Sequence, residues 1–200
     1  MSQRFLLFCL LVIPAFSSAQ KFPFEFWHEG KIILESGDTL KGMVKYNMQE
    51  DLVQLQTDRT VETYTSRKVL FFEIFDVTVK RYRQFYSLPY AVTGQYRAPV
   101  FFELLEEGKM TLLSREALES RTYSSFYYYG SYTRLVLVDK FFFMKENGTI
   151  AQFTGKKNDL IELMGTRGEQ VAKFAKEKRL DFDKKYDVAQ IVAYYNSLIK

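Results

Sequence analysis

Cysteine is almost missing from this chain: its 200 residues include one, together with one histidine, one tryptophan and four prolines. The cysteine, Cys9, lies inside an apolar N-terminal run that reads as a removable leader, so the remaining chain has none. That excludes disulfides, thiolate metal sites and cysteine nucleophiles. One imidazole is too few for the usual zinc ligand sets. A Ser-His-Asp arrangement would rest on His28 alone, which stands beside Trp27 in a lead-in segment and reads as a packing or surface residue. No glycine-rich loop leads from a strand into a helix with a phosphate-binding lysine. Asp51, Asp58 and Asp76 are too dispersed for a calcium loop. No catalytic residue, metal site or cofactor is therefore expected.

Charge of one sign is also scarce. The net charge is +4, with acids and bases well mixed, and a compact nucleic-acid binder concentrates basic residues far more strongly. No nucleic-acid partner is expected. Arg4, the apolar run over residues 5–16 and Ser17-Ser18-Ala19 describe a secretory signal peptide over residues 1–19. The run is shorter than the roughly 20 residues a membrane-spanning helix needs, and no later stretch is long enough. Export to the periplasm or the cell surface is the expected localisation, with no transmembrane segment in the mature chain.

Aromatics are plentiful, at 17%, with 19 Phe and 14 Tyr. They favour strands. Short β-branched and aromatic runs separated by turn clusters begin at Lys31 and continue to about residue 153. Strands are expected over residues 32–34, 40–46, 52–56, 69–75, 79–86, 100–105, 110–114, 135–144 and 149–153. Gly42 inside a strand points to a bulge or a close backbone approach. Residues 69–75 are apolar on both faces except Glu73, which suits a central strand. Residues 87–99 read as a proline-shaped loop, 115–119 as a short helical turn, and 121–133 as a loop rich in Tyr, Ser and Gly. Asn147-Gly148 is the strongest hairpin signal.

After Thr154 the hydrophobic period changes from 2 to 3.6. Helices are expected over residues 158–164, from a Thr166–Glu169 capping box, and behind Asp183 with a stripe of Val188, Ile191, Val192, Tyr195 and Leu198. The fold class expected is α+β: an antiparallel meander, barrel-like or sandwich body over residues 20–154, and a helical tail over 155–200 packed on it as one domain.

Three stretches carry a resemblance: Glu35-Ser36-Gly37-Asp38-Thr39-Leu40-Lys41-Gly42-Met43-Val44-Lys45-Tyr46, Arg83-Gln84-Phe85-Tyr86-Ser87-Leu88-Pro89-Tyr90, and Tyr194-Tyr195-Asn196-Ser197-Leu198. On these the chain resembles uncharacterised secreted proteins of Gram-negative bacteria. The resemblance covers most of the mature chain and implies export and a β-rich body with a helical tail. No activity comes with it.

Two stretches are candidate ligand surfaces. Residues 77–102 contain no acid and carry Arg81, Tyr82, Arg83, Tyr86, Tyr90, Tyr96 and Arg97. Arginines beside tyrosines can hold an anion or stack on a planar ligand; the same pattern suits an edge strand kept soluble by charge. The second stretch includes Tyr127, Tyr128 and Tyr129, whose Ser/Gly-spaced rings give contact area at low ordering cost, or fold back onto the sheet. Asp38-Thr39-Leu40 and Asn147-Gly148-Thr149 match short glycosylation patterns, but each is already explained by a turn. The expected function is an exported, non-enzymatic binding or assembly protein, with another envelope protein or a glycan as partner. The alternative is a carboxylate-dependent hydrolase of envelope polysaccharide or ester, with Glu103, Glu106 and Glu107 the nearest carboxyl cluster.

Overall fold

A computed structural model describes residues 21–91, 94, 96–125 and 130–199. Ten antiparallel strands form one sheet: β1 (His28–Leu34), β2 (Thr39–Asn47), β3 (Leu52–Gln56), β4 (Val61–Thr65), β5 (Val69–Asp76), β6 (Arg81–Tyr90), β7 (Ala98–Glu106), β8 (Thr111–Ser125), β9 (Gly130–Met144) and β10 (Ile150–Phe153). Their order is β10-β9-β8-β7-β6-β5-β1-β2-β3-β4, a meander broken once where β1 enters between β2 and β5. Gly30 of β1 faces Gly42 of β2. A Cβ at Gly30 would lie 2.3 Å from the Glu73 carbonyl oxygen, and one at Gly42 2.6 Å from that of Gln56. The expected close approach at Gly42 is thus real, and it has a twin across the strand.

The sheet coils until the β2–β3 turn reaches β7 and β8. Asp51, in that turn, accepts the Phe101 amide at 2.8 Å and pairs with Arg115 of β8 at 2.8 Å. Ser66, before β5, donates its hydroxyl to the Pro99 carbonyl at 2.7 Å. Inside the coil Ile32, Val44, Tyr46, Phe72, Ile74, Phe85 and Phe101 form the first core. Strand β5 is central, as expected, though it alternates: Phe72, Ile74 and Asp76 are buried while Leu70 is 47% exposed.

From residue 154 the chain becomes helical: α1 (Lys157–Leu163), a 3-10 turn (Gly165–Arg167), α2 (Gly168–Lys178) and α3 (Lys185–Leu198). They cover the β7–β10 end of the sheet, where Val171, Val188, Ile191 and Val192 pack with Leu112, Phe141 and Phe143. Each large aliphatic buried here contributes about 1.5–3 kcal/mol before ordering costs. A third cluster, Val100, Phe102, Leu113 and Phe142, covers the opposite face. The arrangement is α+β with a helical tail.

Several expectations about elements are corrected. The presumed loop over 87–99 is shorter: β6 runs to Tyr90 and β7 starts at Ala98, with Pro89 opposite Pro99. Residues 115–119 are not a helical turn, and most of 121–133 is not loop; both belong to the two 15-residue strands β8 and β9. Cross-strand pairs outweigh the loop-like Ser/Gly/Tyr composition there: Thr122 and Thr133 share a 2.9 Å hydrogen bond, and Tyr123 stacks on Tyr132 at 5.6 Å. Strand β4, where only Val61 and Tyr64 are apolar, was not foreseen. Neither expected cap is made. Thr166 lies inside the 3-10 turn, α2 starts at Gly168, and Asp183 makes no side-chain cap for α3.

Candidate functional site

Five strands, β5 to β9, and one helix deliver charges to a single buried point. Arg83 of β6 stands in phase with Phe85, so it points into the coil rather than out to solvent. Its side chain is only 3% exposed. It donates to Glu103 through Nε and Nη2 at 2.8 and 2.7 Å, to Asp76 at 2.9 Å, to the Tyr46 hydroxyl at 3.0 Å, and to Glu116. The second cation is Lys185, in the first turn of α3. Its Nζ lies 3.0 Å from Glu103, 3.2 Å from Glu116 and 2.6 Å from Asp139. Tyr46 completes the network by donating its hydroxyl to Glu116 at 2.9 Å.

Two cations thus serve four carboxyl groups, and the imbalance shows in their acidities. Burial pushes the Glu103 carboxyl up, but Arg83 and then Lys185 outweigh it and hold the group below its ordinary value. Asp76 is also held low: burial works against it, and hydrogen bonds from Thr78 and Arg83 prevail. Asp139, the outermost, goes the other way. Burial raises it, Lys185 offsets only part of that, and Glu116 and Glu103 add repulsion. Burial likewise raises the Tyr46 phenol.

A cleft of about 470 Å³ opens over the cluster, lined by Asp76, Thr78, Arg83, Glu116, Asp139, Lys185 and Tyr186. Arg81 closes one side by stacking on the Tyr186 ring, its guanidinium carbon 3.7 Å from the ring centre. This is a clasp between the coil and the helical tail. Every carboxylate in it already holds hydrogen bonds, and a charge-locked Glu103 is a poor proton donor. Glu106 is raised by burial and by Glu107, but it stands at the end of β7 by the hairpin turn. Among the described residues no three His, Asp or Glu side chains are arranged so that they could hold a metal ion.

The residues singled out from the sequence do not share one site. Arg81 and Arg83 meet the clasp. Tyr82 is 69% exposed and packs against Phe75, and Tyr86 stacks on Phe71 at 5.2 Å. Tyr90 lies edge-on to Phe102 and Phe142 in the third core cluster. Tyr96 is exposed and accepts a hydrogen bond from Arg67 at 3.3 Å; Arg97 is exposed beside it. Tyr127, Tyr128 and Tyr129, like residues 1–19 that the sequence reads as a signal peptide, fall outside the described residues. β6 is not an edge strand, since β5 and β7 flank it, so solubility at an edge does not account for its arginines. Sequence reasoning missed Asp76, Glu116, Asp139 and Lys185. The available signal was phase: Arg83 with Phe85, and Glu103 with Phe101, are charges at core-facing positions, which survive only when paired.

The most exposed feature is the far half of the β8–β9 hairpin. β7 pairs with β8 only as far as Ser114, and β10 pairs with β9 only as far as Phe141. Beyond these points the hairpin continues for eleven pairs, from Arg115↔Lys140 to Ser125↔Gly130. At about 3.4 Å per residue that is roughly 35 Å of two-stranded ribbon. Past Ser120 and Leu135 nearly every described side chain is exposed, including Tyr132 at 53% and Leu135 at 49%.

Compared with known proteins, the chain matches no family model, no curated protein and no solved structure. Among the described residues no helix is long and apolar enough to cross a membrane.

Proposed function

We propose that this is an exported protein of the cell envelope that works without catalysis, as a binding or assembly component, and that the β8–β9 ribbon is the part that meets its partner. The ribbon carries this reading. A two-stranded hairpin standing alone is marginally stable in water, and exposed strand edges invite pairing. Here such an element is extended well beyond the body and ends among aromatics. The leader-like N-terminus and the resemblance to secreted Gram-negative proteins support export. The use of Glu103 in the ionic clasp supports a non-catalytic role.

The test is site-specific photo-crosslinking in the native cells. A benzophenone side chain at Tyr132 or Leu135 should give an adduct of discrete mass in the envelope fraction. The same probe at Val61, 54% exposed on the opposite edge strand, should not. Adducts of equal yield at all three positions would remove the ribbon from consideration. Consumption of a glycan or ester by the purified protein would remove the non-catalytic reading.

A further inference from the structure

Where β10 ends, the sheet does not close. Strand β10 covers β9 only from Met144 to Phe141, and its last residue, Phe153, sits opposite Phe141. The next five residues of β9, Val136 to Lys140, pair with β8 on one side and, among the described residues, with no strand on the other. A groove of about 730 Å³ runs along this edge. Its far wall is the segment 154–157 together with Phe182 and Asp183.

The size of the groove points to one strand. A strand residue fills on the order of 160 Å³, from a rise of about 3.4 Å, a strand spacing of about 4.8 Å and a sheet thickness of about 10 Å. The groove therefore holds about four or five residues, matching the five β9 residues in its lining, Val136 to Lys140, that β10 does not pair. The two-stranded ribbon of a second copy would need twice that width, and the wall at Lys156 and Lys157 stands in its way.

The chemistry is also directional. Val136 and Val138 alternate on one face of the edge and suit a β-branched neighbour. At the other end stand Lys140, Lys156 and Lys157. Lys156 and Lys157 form no ion pair among the described residues. Lys140 has only a 3.5 Å contact to Glu119, with both side chains about two-fifths exposed, a pair worth little in water.

We propose that this groove is a β-strand addition site for an extended segment of a partner protein. The segment runs antiparallel to β9, with acidic residues at its N-terminal end beside the three lysines and β-branched residues beside Val136 and Val138. The inference rests on the reading of the chain as a binding protein and names the class of its partner.

The test uses a fluorescein-labelled heptapeptide, Asp-Glu-Val-Thr-Val-Thr-Val, and the purified protein, with binding followed by anisotropy. Saturable binding is expected. A peptide N-methylated at alternate residues, which keeps the side chains and loses the edge hydrogen bonds, should bind at least tenfold more weakly. The double variant Lys156→Glu/Lys157→Glu should also lose at least tenfold and should regain binding with Lys-Lys-Val-Thr-Val-Thr-Val. The proposal is overturned by absence of saturable binding, by equal binding of the N-methylated peptide, or by indifference to the charge swap. It is equally overturned by a dimer that the peptide dissociates, which would make a second copy the occupant. Cross-linking from Tyr132 that persists when the peptide fails would leave the binding function standing and remove only this groove.

Discussion

Lys185 Nζ lies 3.0 Å from Glu103 Oε2, joining the first turn of the last helix to the centre of β7 across 82 residues of sequence. The same ammonium reaches Glu116 and Asp139, and the same Glu103 is gripped from its other side by Arg83. Coil and tail are therefore held by a charge lock as well as by apolar packing.

The lock predicts an asymmetric mutational response. Removing one partner of a buried ion pair leaves its counter-charges unmet, at a cost of about 3–5 kcal/mol. Lys185→Met should lower stability by that order in urea denaturation, and limited proteolysis should cut first near residues 154–157. Adding Asp139→Asn to Lys185→Met should restore part of the loss, because it removes one of the stranded acids. A double variant as weak as the sum of its singles would show that Asp139 and Lys185 do not share the lock.

Acidity gives a second handle, with opposite signs inside one cluster. Asp76 and Glu103 are held below their ordinary values when folded. Their stabilisation is complete above the normal carboxyl range, about pH 4, and is lost as pH falls through their lowered folded values. Asp139 is raised when folded. Its proton binds more readily to the native state, so stability rises as pH falls through its folded value. The urea midpoint of the wild-type protein should climb slightly on mild acidification and then collapse below about pH 4. Asp139→Asn should abolish the climb and keep the collapse. An unchanged climb in that variant would assign it to another group.

Much of this architecture was legible beforehand, and the failures share one cause. Strand alternation, the switch to a 3.6 period after Thr154 and the stripe at Val188, Ile191 and Val192 are local patterns, and local patterns locate sheet and helices. Residues 115–119 read as a helical turn and 121–133 as a loop from their composition, whereas the strand state of 115–125 and 130–133 depends on a partner strand drawn from the other half of the same hairpin. The clasp lay further out of reach. Arg83 could be seen at a core-facing position, but nothing in one sequence states that its acids come from β5, β7 and β8, or that Lys185 arrives from the tail.

Gly30 tests how tightly the coil is wound. A methyl there would meet the Glu73 carbonyl at 2.3 Å, a backbone atom that cannot swing aside. Gly30→Ala should cost about 1–3 kcal/mol, as overpacking does in a well-filled interior. Gly108→Ala makes the contrast. Its Cβ would sit 2.3 Å from the Asn196 amide nitrogen, which is a side-chain atom that can rotate. That rotation would break the paired 3.0 Å hydrogen bonds between Asn196 and Met110. Gly108→Ala should therefore resemble Asn196→Ala in thermal denaturation, and combining the two should add little. Additive losses would mean that the Gly108 methyl meets something other than Asn196.

Hydrogen exchange reads the ribbon directly. Amides of β5 and β6 lie between two neighbouring strands, under Phe72 and Phe85. They should open only with global unfolding. In the ribbon each strand has one neighbour, and among the described residues from Ser120 and Leu135 outward no side chain is buried to hold the pair together. Protection should therefore fall along β8 from Ser114 to Ser124 and along β9 from Phe141 back to Ser131, with the outer amides exchanging orders of magnitude faster than β5. The groove adds a local exception that separates the two edges. If a partner strand docks beside Val136–Lys140, the acidic peptide should slow exchange in that part of β9 and leave Arg121–Ser124 of β8 unchanged. Equal slowing on both strands would mean that the ribbon is stiffened as a whole rather than extended by a strand on one edge.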